Sequence, residues 1–147
     1  MDNLSKFSEQ LDSLMFEREL TPFQLARIIG VDATCIARYL HGERKPSVEN
    51  LVKLADYFQC TTDFLLGRED ENYCTTFYPC PPFAEQLLIL KQHFNCPWWH
   101  FYKKAHVASS RLFDWKNGSH IPTIDSVINL ANGFDCTVDF IIGRTRS

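Results

Sequence analysis

The chain matches itself. Shifted by 76 residues, positions 7–68 lie on positions 83–144 without a gap, and 17 of the 62 aligned positions are identical. FSEQL at 7–11 falls on FAEQL at 83–87, and LADYFQCTTDFLLGR at 54–68 falls on LANGFDCTVDFIIGR at 130–144. Val31, Gly42 and Pro46 fall on Val107, Gly118 and Pro122. A duplicated fold keeps its caps, its glycines and its core positions, so the match predicts two domains in tandem. The expected boundaries are 1–68 for the first, 69–82 for a linker and 83–147 for a diverged second copy. Units this small bury little surface, so docking between them is a plausible extra source of stability.

Within the first copy the densest signals lie in TPFQLARIIGVDATCIARYLHGERKP, residues 21–46. Thr21 suits an N-cap, and Pro22 suits the first helical position, where its missing N–H costs nothing. Leu25, Ala26 and Ile29 fall on one helical face. Gly30 suits the positive φ of a helix C-terminus. Asp32 is placed to cap a second helix running to about residue 39 or 40, with Ile36 and Tyr39 inward and Gly42 at its end. Glu43, Arg44, Lys45 and Pro46 follow. Two capped helices about a glycine turn, then basic residues, have the form of a helix-turn-helix.

With ERKPS and LVKLADYFQCTTDFLLG, this stretch resembles the Cro/repressor-type (XRE-like) helix-turn-helix family. The resemblance implies an all-α fold of two tandem five-helix repressor-like domains. It also implies a bacterial or mobile-element origin and residence in the cytoplasm. In that family an Arg late in helix 1 often pairs with a Glu ending helix 3; those places hold Met15 and Leu40 here. An apolar pair can replace a partly buried ion pair without loss.

Composition narrows the rest. Net charge is −3, which taken whole is not a nucleic-acid binder's footprint. Residues 1–76 carry 8 Lys/Arg against 13 Asp/Glu, and residues 77–147 carry 7 against 5. A binding face in the first copy must therefore be a local basic patch. No apolar run is long enough to span a membrane, and the polar start MDNLSKFSEQLDSLMF is not a secretory signal. The six cysteines at 35, 60, 74, 80, 96 and 136 read as thiols in a reducing compartment. Cys60 and Cys136, at matching places, are expected to be small buried residues. Cys74 and Cys80 with His93 or His100 lack zinc-type spacing, so no metal and no cofactor is expected.

Helix 1 is expected over about 4–18, with Leu4, Phe7, Leu11, Leu14 and either Phe16 or Met15 inward. Ser47 caps helix 4, whose buried face is Leu51, Leu54, Ala55 and Phe58. Thr61 caps a short helix 5, with Phe64 and Leu65 inward and Gly67 at its end. In the linker, Pro79, Pro81 and Pro82 favour an extended path. Tyr73, Phe77 and Tyr78 are too apolar for a free tether and are expected to pack on one or both domains. The second copy repeats the plan with helices at about 83–94, 97–105 and 109–117, then Thr123 and Thr137 as caps. Its motif is remodelled. His106 replaces the turn glycine, Lys91 and Lys116 replace the apolar pair, and Trp98, Trp99, Phe101, Tyr102, Phe113 and Trp115 crowd the site. Six aromatics exceed what so small a core holds, so some should be exposed.

A recognition helix offers its first residues and one outward face to the major groove. In the first copy that face is Ala33, Thr34, Cys35, Ala37 and Arg38, with Arg38 the best base reader because its guanidinium can donate twice to guanine. Arg44 and Lys45 sit where the family touches phosphate, and Gln24 and Arg27 are further candidates. In the second copy the candidates are Ser109, Ser110, Arg111 and Lys116, while Asp114 replaces Arg38. The expected partner is double-stranded DNA, with the chain a sequence-specific transcriptional regulator, a repressor above all. The second copy is a second reading head, a homodimer or docking module working through its aromatic-rich segment, or an inert duplicate. The alternative is a protein-interaction module, an antitoxin or anti-repressor partner, on a repressor-like scaffold. No catalytic set and no small-molecule site stands out.

Overall fold

The computed structural model describes residues 3–72 and 76–146, so Tyr73, Cys74 and the Leu4 side chain named above lie outside it. Ten helices and no strand occur among the described residues. They are α1 (Asn3–Glu17), α2 (Pro22–Ile29), α3 (Ala33–Leu40), α4 (Val48–Phe58), α5 (Thr62–Leu65), α6 (Phe83–Phe94), α7 (Trp98–Ala105), α8 (Ser109–Asn117), α9 (Ile124–Gly133) and α10 (Val138–Ile142). The chain divides into two units, Met1–Thr75 and Thr76–Ser147, so α1–α5 lie in the first and α6–α10 in the second.

In the first unit Phe7, Leu11 and Met15 form the buried stripe of α1, while Phe16 is 83% exposed. The choice between Met15 and Phe16 thus falls to Met15. Leu25 and Ala26, Ile36 and Tyr39, and Leu51, Leu54, Ala55 and Phe58 close the core from α2, α3 and α4. Each large apolar side chain so buried contributes about 1.5–3 kcal/mol. Leu65 and Leu66 are buried and Phe64 is half-buried, so α5 turns a different edge inward from the Phe64–Leu65 pair expected. Arg18 donates to the carbonyls of Tyr57 and Phe58 at 3.3 and 3.4 Å, putting a cation on the negative end of α4.

The caps follow the residue chemistry. The hydroxyls of Thr21, Ser47, Thr61, Thr123 and Thr137 each accept the N–H three residues on. Asp32 is the exception. It occupies the N-cap of α3, but its carboxylate makes no capping hydrogen bond.

In the second unit Leu87, Leu90, Phe101, Trp115, Leu130 and Ile141 are buried. Each unit closes on an ion pair to a buried aspartate, Asp63 with half-buried Arg68 and Asp139 with buried Arg144, the latter at 3.1 Å. Phe77 lies 3.8 Å under the Arg144 guanidinium, Tyr78 lies 3.9 Å from that of Arg146, and the Tyr78 N–H donates to the Arg144 carbonyl. These two aromatics of the expected linker therefore belong to the second unit. Asn72 is tied to the first unit through Thr61 N and Gln59 O. Cys60 is buried as expected; Cys136 is only half-buried.

Candidate nucleic-acid interface

The site is built on α2 and α3. Thr21 and Gln24 form a reciprocal cap: Thr21 Oγ1 accepts from Gln24 N at 3.2 Å, and Gln24 Oε1 accepts from Thr21 N at 2.9 Å. The Gln24 oxygen is thereby committed, and its amide nitrogen is the group left to meet a ligand. Gly30 adopts φ 75°, and the N–H groups of Gly30 and Val31 both return to the Ala26 carbonyl. This left-handed cap is what turns the chain sharply enough to launch α3.

α3 is held from behind. Its Tyr39 ring packs edge-on against Phe7 at 5.5 Å, and the Tyr39 hydroxyl accepts from Asn50 Nδ2 at 3.0 Å. Ser8 Oγ donates to the Tyr39 carbonyl at 2.5 Å. Burial pushes the Tyr39 phenol above its ordinary value; the Cys35 sulfur pushes the same way, and Asn50 and Arg44 pull against it. Asn50 gave no periodic or motif signal in the sequence, yet it ties the start of α4 to the back of α3.

The opposite face carries the candidate readers. Thr34 and Arg38 are exposed, and Ala33 and Ala37 are half-buried beside them. Cys35 departs from the expected set, because its half-buried side chain is hydrogen-bonded to Tyr39. After Gly42 (φ 70°) the Glu43 N–H returns to the Arg38 carbonyl, and Arg44 and Lys45 follow exposed before buried Pro46. Arg27 is exposed on α2, its guanidinium 5.9 Å from the Phe23 ring. The result is one outward helix face with two hydrogen-bonding side chains and two further cations just beyond its end. Such a set can donate to base edges and to phosphate oxygens.

The second unit departs from this plan at several points. α7 lacks the side-chain cap that α2 has, and α8, like α3, has none. His106 takes φ 60° where Gly30 stood, a strained choice for a residue with a Cβ. Ser109, Ser110 and Arg111 are exposed at the start of α8. Asp114 lies 4.0 Å from Arg111 and 3.6 Å from His120, so the carboxylate offsets the Arg111 charge. Lys116 is not gathered with them. Its ammonium sits 4.5 Å from the Trp98 ring centre and that of Lys91 sits 5.2 Å away, so one indole accommodates both like charges. Trp99 and Phe113 are 48% and 64% exposed, whereas Phe101 and Trp115 are buried. No group of three or more metal-ligating side chains occurs among the described residues, and no helix there is long and apolar enough to cross a membrane.

The geometry of α2 and α3 is that of a helix-turn-helix, and residues 17–65 match the helix-turn-helix family model. Two curated proteins align with part of the chain. The cryptic phage CTXphi transcriptional repressor RstR of Vibrio cholerae is 39% identical over 69 residues, 46% of this chain and 62% of its own length. The HTH-type transcriptional regulator AnsR of Bacillus subtilis is 46% identical over 47 residues, 32% of this chain and 40% of its own length. The chain thus spans about three-fifths of one relative and two-fifths of the other. No solved structure matches.

Proposed function

We infer that the chain is a cytoplasmic, sequence-specific DNA-binding transcriptional regulator, acting as a repressor, whose first unit reads the major groove with α3. The observation that carries this is the outward face of α3, Thr34 and Arg38 exposed with Arg44 and Lys45 beyond, on a helix fixed from behind by Tyr39. The match of residues 17–65 to the helix-turn-helix model and the printed roles of the two relatives support it. Arg38 is the principal base reader, Thr34 a secondary one, and Gln24, Arg27, Arg44 and Lys45 hold the phosphates. The second unit is a diverged copy of the same domain. Its α8 reads bases poorly because Asp114 stands where Arg38 stands in the first.

Selection of binding sites from a random duplex library at fixed salt tests this, and an enriched sequence is expected. A hydroxyl-radical footprint on that sequence then separates two arrangements: a two-part asymmetric site read by one chain, or a palindrome read by two. The exposed Phe113 and Ile121 of the second unit favour pairing of two chains through it. Absence of any enrichment would overturn the inference and favour a protein-interaction role.

A further inference from the structure

The second unit carries a cleft of about 490 Å³ between α7 and α9, with no residue of α8 in its lining. Trp99, His100, Lys103, Lys104 and His106 line it from α7 and the turn after it, and Asn129, Asn132 and Gly133 line it from α9. No carboxylate is among the lining residues. The Lys103 ammonium stands 5.5 Å from the exposed Trp99 ring, and Trp99 stacks on His100 at 4.0 Å. Lys104 Nζ donates to the Gly133 carbonyl at 2.9 Å and lies 5.1 Å from the Phe134 ring, so its ammonium is fixed at the cleft edge with two protons still to give. Glycine at 133 lets the Lys104 stem pack directly on α9; a Cβ there would come within 2.8 Å of Lys104 Cβ.

The same place in the first unit is instructive. Seventy-six residues earlier stand Phe23, Gln24, Arg27 and Ile28, which with Leu20 line a cleft of their own, and Arg27 leans over Phe23 as Lys103 leans over Trp99. Both units thus present an aromatic ring with a cation held over it one turn later. Only the second adds a lysine and two histidines. Tyr57 fills the place of Gly133, with Arg18 over its ring. The second unit carries Asp114 at the place of Arg38 and one more lysine, Lys104, on its flank.

We propose that this α7–α9 cleft binds the sugar–phosphate backbone of duplex DNA, giving the second unit a sequence-independent grip in addition to the first unit's reading of bases. The inference rests on the proposed function. A protein partner fits less well, because lysine is depleted from the buried centres of protein interfaces while DNA interfaces are polar and strongly basic. Lys103 and Lys104 supply the charge, and the Trp99 ring supplies a flat apolar surface for the sugar edge.

The test is the salt dependence of binding by the full chain to its selected duplex and to a scrambled duplex, for Lys103→Gln, Lys103→Glu, Lys103→Arg and Lys104→Gln. Each phosphate contact contributes about 0.9 to the slope of log K against log salt. Lys103→Gln should lower the slope by about that much on both duplexes, with the ratio between them unchanged. Lys103→Glu should weaken binding further, and Lys103→Arg should restore it. An unchanged slope for all four variants, with the sequence preference intact, overturns the cleft and leaves the reading by α3 standing. An unchanged slope with loss of binding to polyglutamate overturns it in favour of an acidic protein partner. No preference for any duplex by the unaltered chain overturns the proposed function itself and the cleft with it.

Discussion

Tyr39→Phe isolates the contact that fixes the reading helix. The substitution keeps the ring on Phe7 and removes only the hydroxyl, which accepts from Asn50 and is hydrogen-bonded to Cys35. A net hydrogen bond is worth about 0.5–1.5 kcal/mol, and half-buried Asn50 can recover part of the loss from water, so the cost should be near 1 kcal/mol. For a unit of this size that lowers the thermal midpoint by about 4–8 °C. The phenol also makes a pH prediction. Its folded-state pKa is raised above the ordinary value near 10. Below that pH both states hold the proton and it contributes no pH dependence. Above it the unfolded chain ionises first, so this part of the stability is lost as pH rises through the folded pKa. Tyr39→Phe should remove that alkaline loss. The assay is thermal unfolding by far-ultraviolet circular dichroism from pH 8 to about 11. Trp98, Trp99 and Trp115 are the only tryptophans and all lie in the second unit, so their fluorescence serves as an internal control. A midpoint and an alkaline limb identical to those of the unaltered chain would refute the account of how α3 is held.

Three further outcomes follow from the packing. His106→Gly relieves a left-handed residue with a Cβ and should stabilise the second unit by about 0.5–1 kcal/mol, read as a later tryptophan-fluorescence transition; an earlier one contradicts the strain. Asp139→Asn leaves the fully buried Arg144 guanidinium without its carboxylate and should cost about 3–5 kcal/mol, measured by urea unfolding of the same fluorescence signal. A loss under about 1 kcal/mol would mean the pair is dispensable. Gly30→Ala forces a Cβ into φ 75° and should lower the first unit's thermal midpoint by a change of about 1–2 kcal/mol, with no shift in tryptophan fluorescence.

Much of the helical plan is legible in local chemistry. Thr21 before Pro22, Ser47 before Val48 and Thr123 before Ile124 announce helix starts, because a hydroxyl there satisfies an N–H that nothing else reaches. Gly30 announces a stop for the matching reason. What escapes is anything decided by several elements together. Asp32 has the right type and place for a cap, but its carboxylate takes no part in one. Phe16 and Met15 are equivalent on hydrophobicity, and only the packing of α1 against α3 and α5 separates them. Cys35 lies among the outward positions of α3 by spacing, but it is drawn to Tyr39. Nothing in the sequence around Lys91 and Lys116 says that Trp98 receives both. The cleft of the second unit draws on α7 and α9, twenty-odd residues apart, and the glycine at 133 lets the Lys104 stem pack there.

Reading of DNA by α3 of the first unit depends above all on Arg38. The most direct measurement is parallel selection from a random duplex library, at one fixed salt concentration, on the full chain and on its Arg38→Ala variant. The full chain should yield an enriched sequence. In the variant, preference should collapse at one base pair, by about 1–3 kcal/mol, with the rest of the site retained. An identical base-by-base profile for the two proteins, or no enrichment from the full chain, would contradict it.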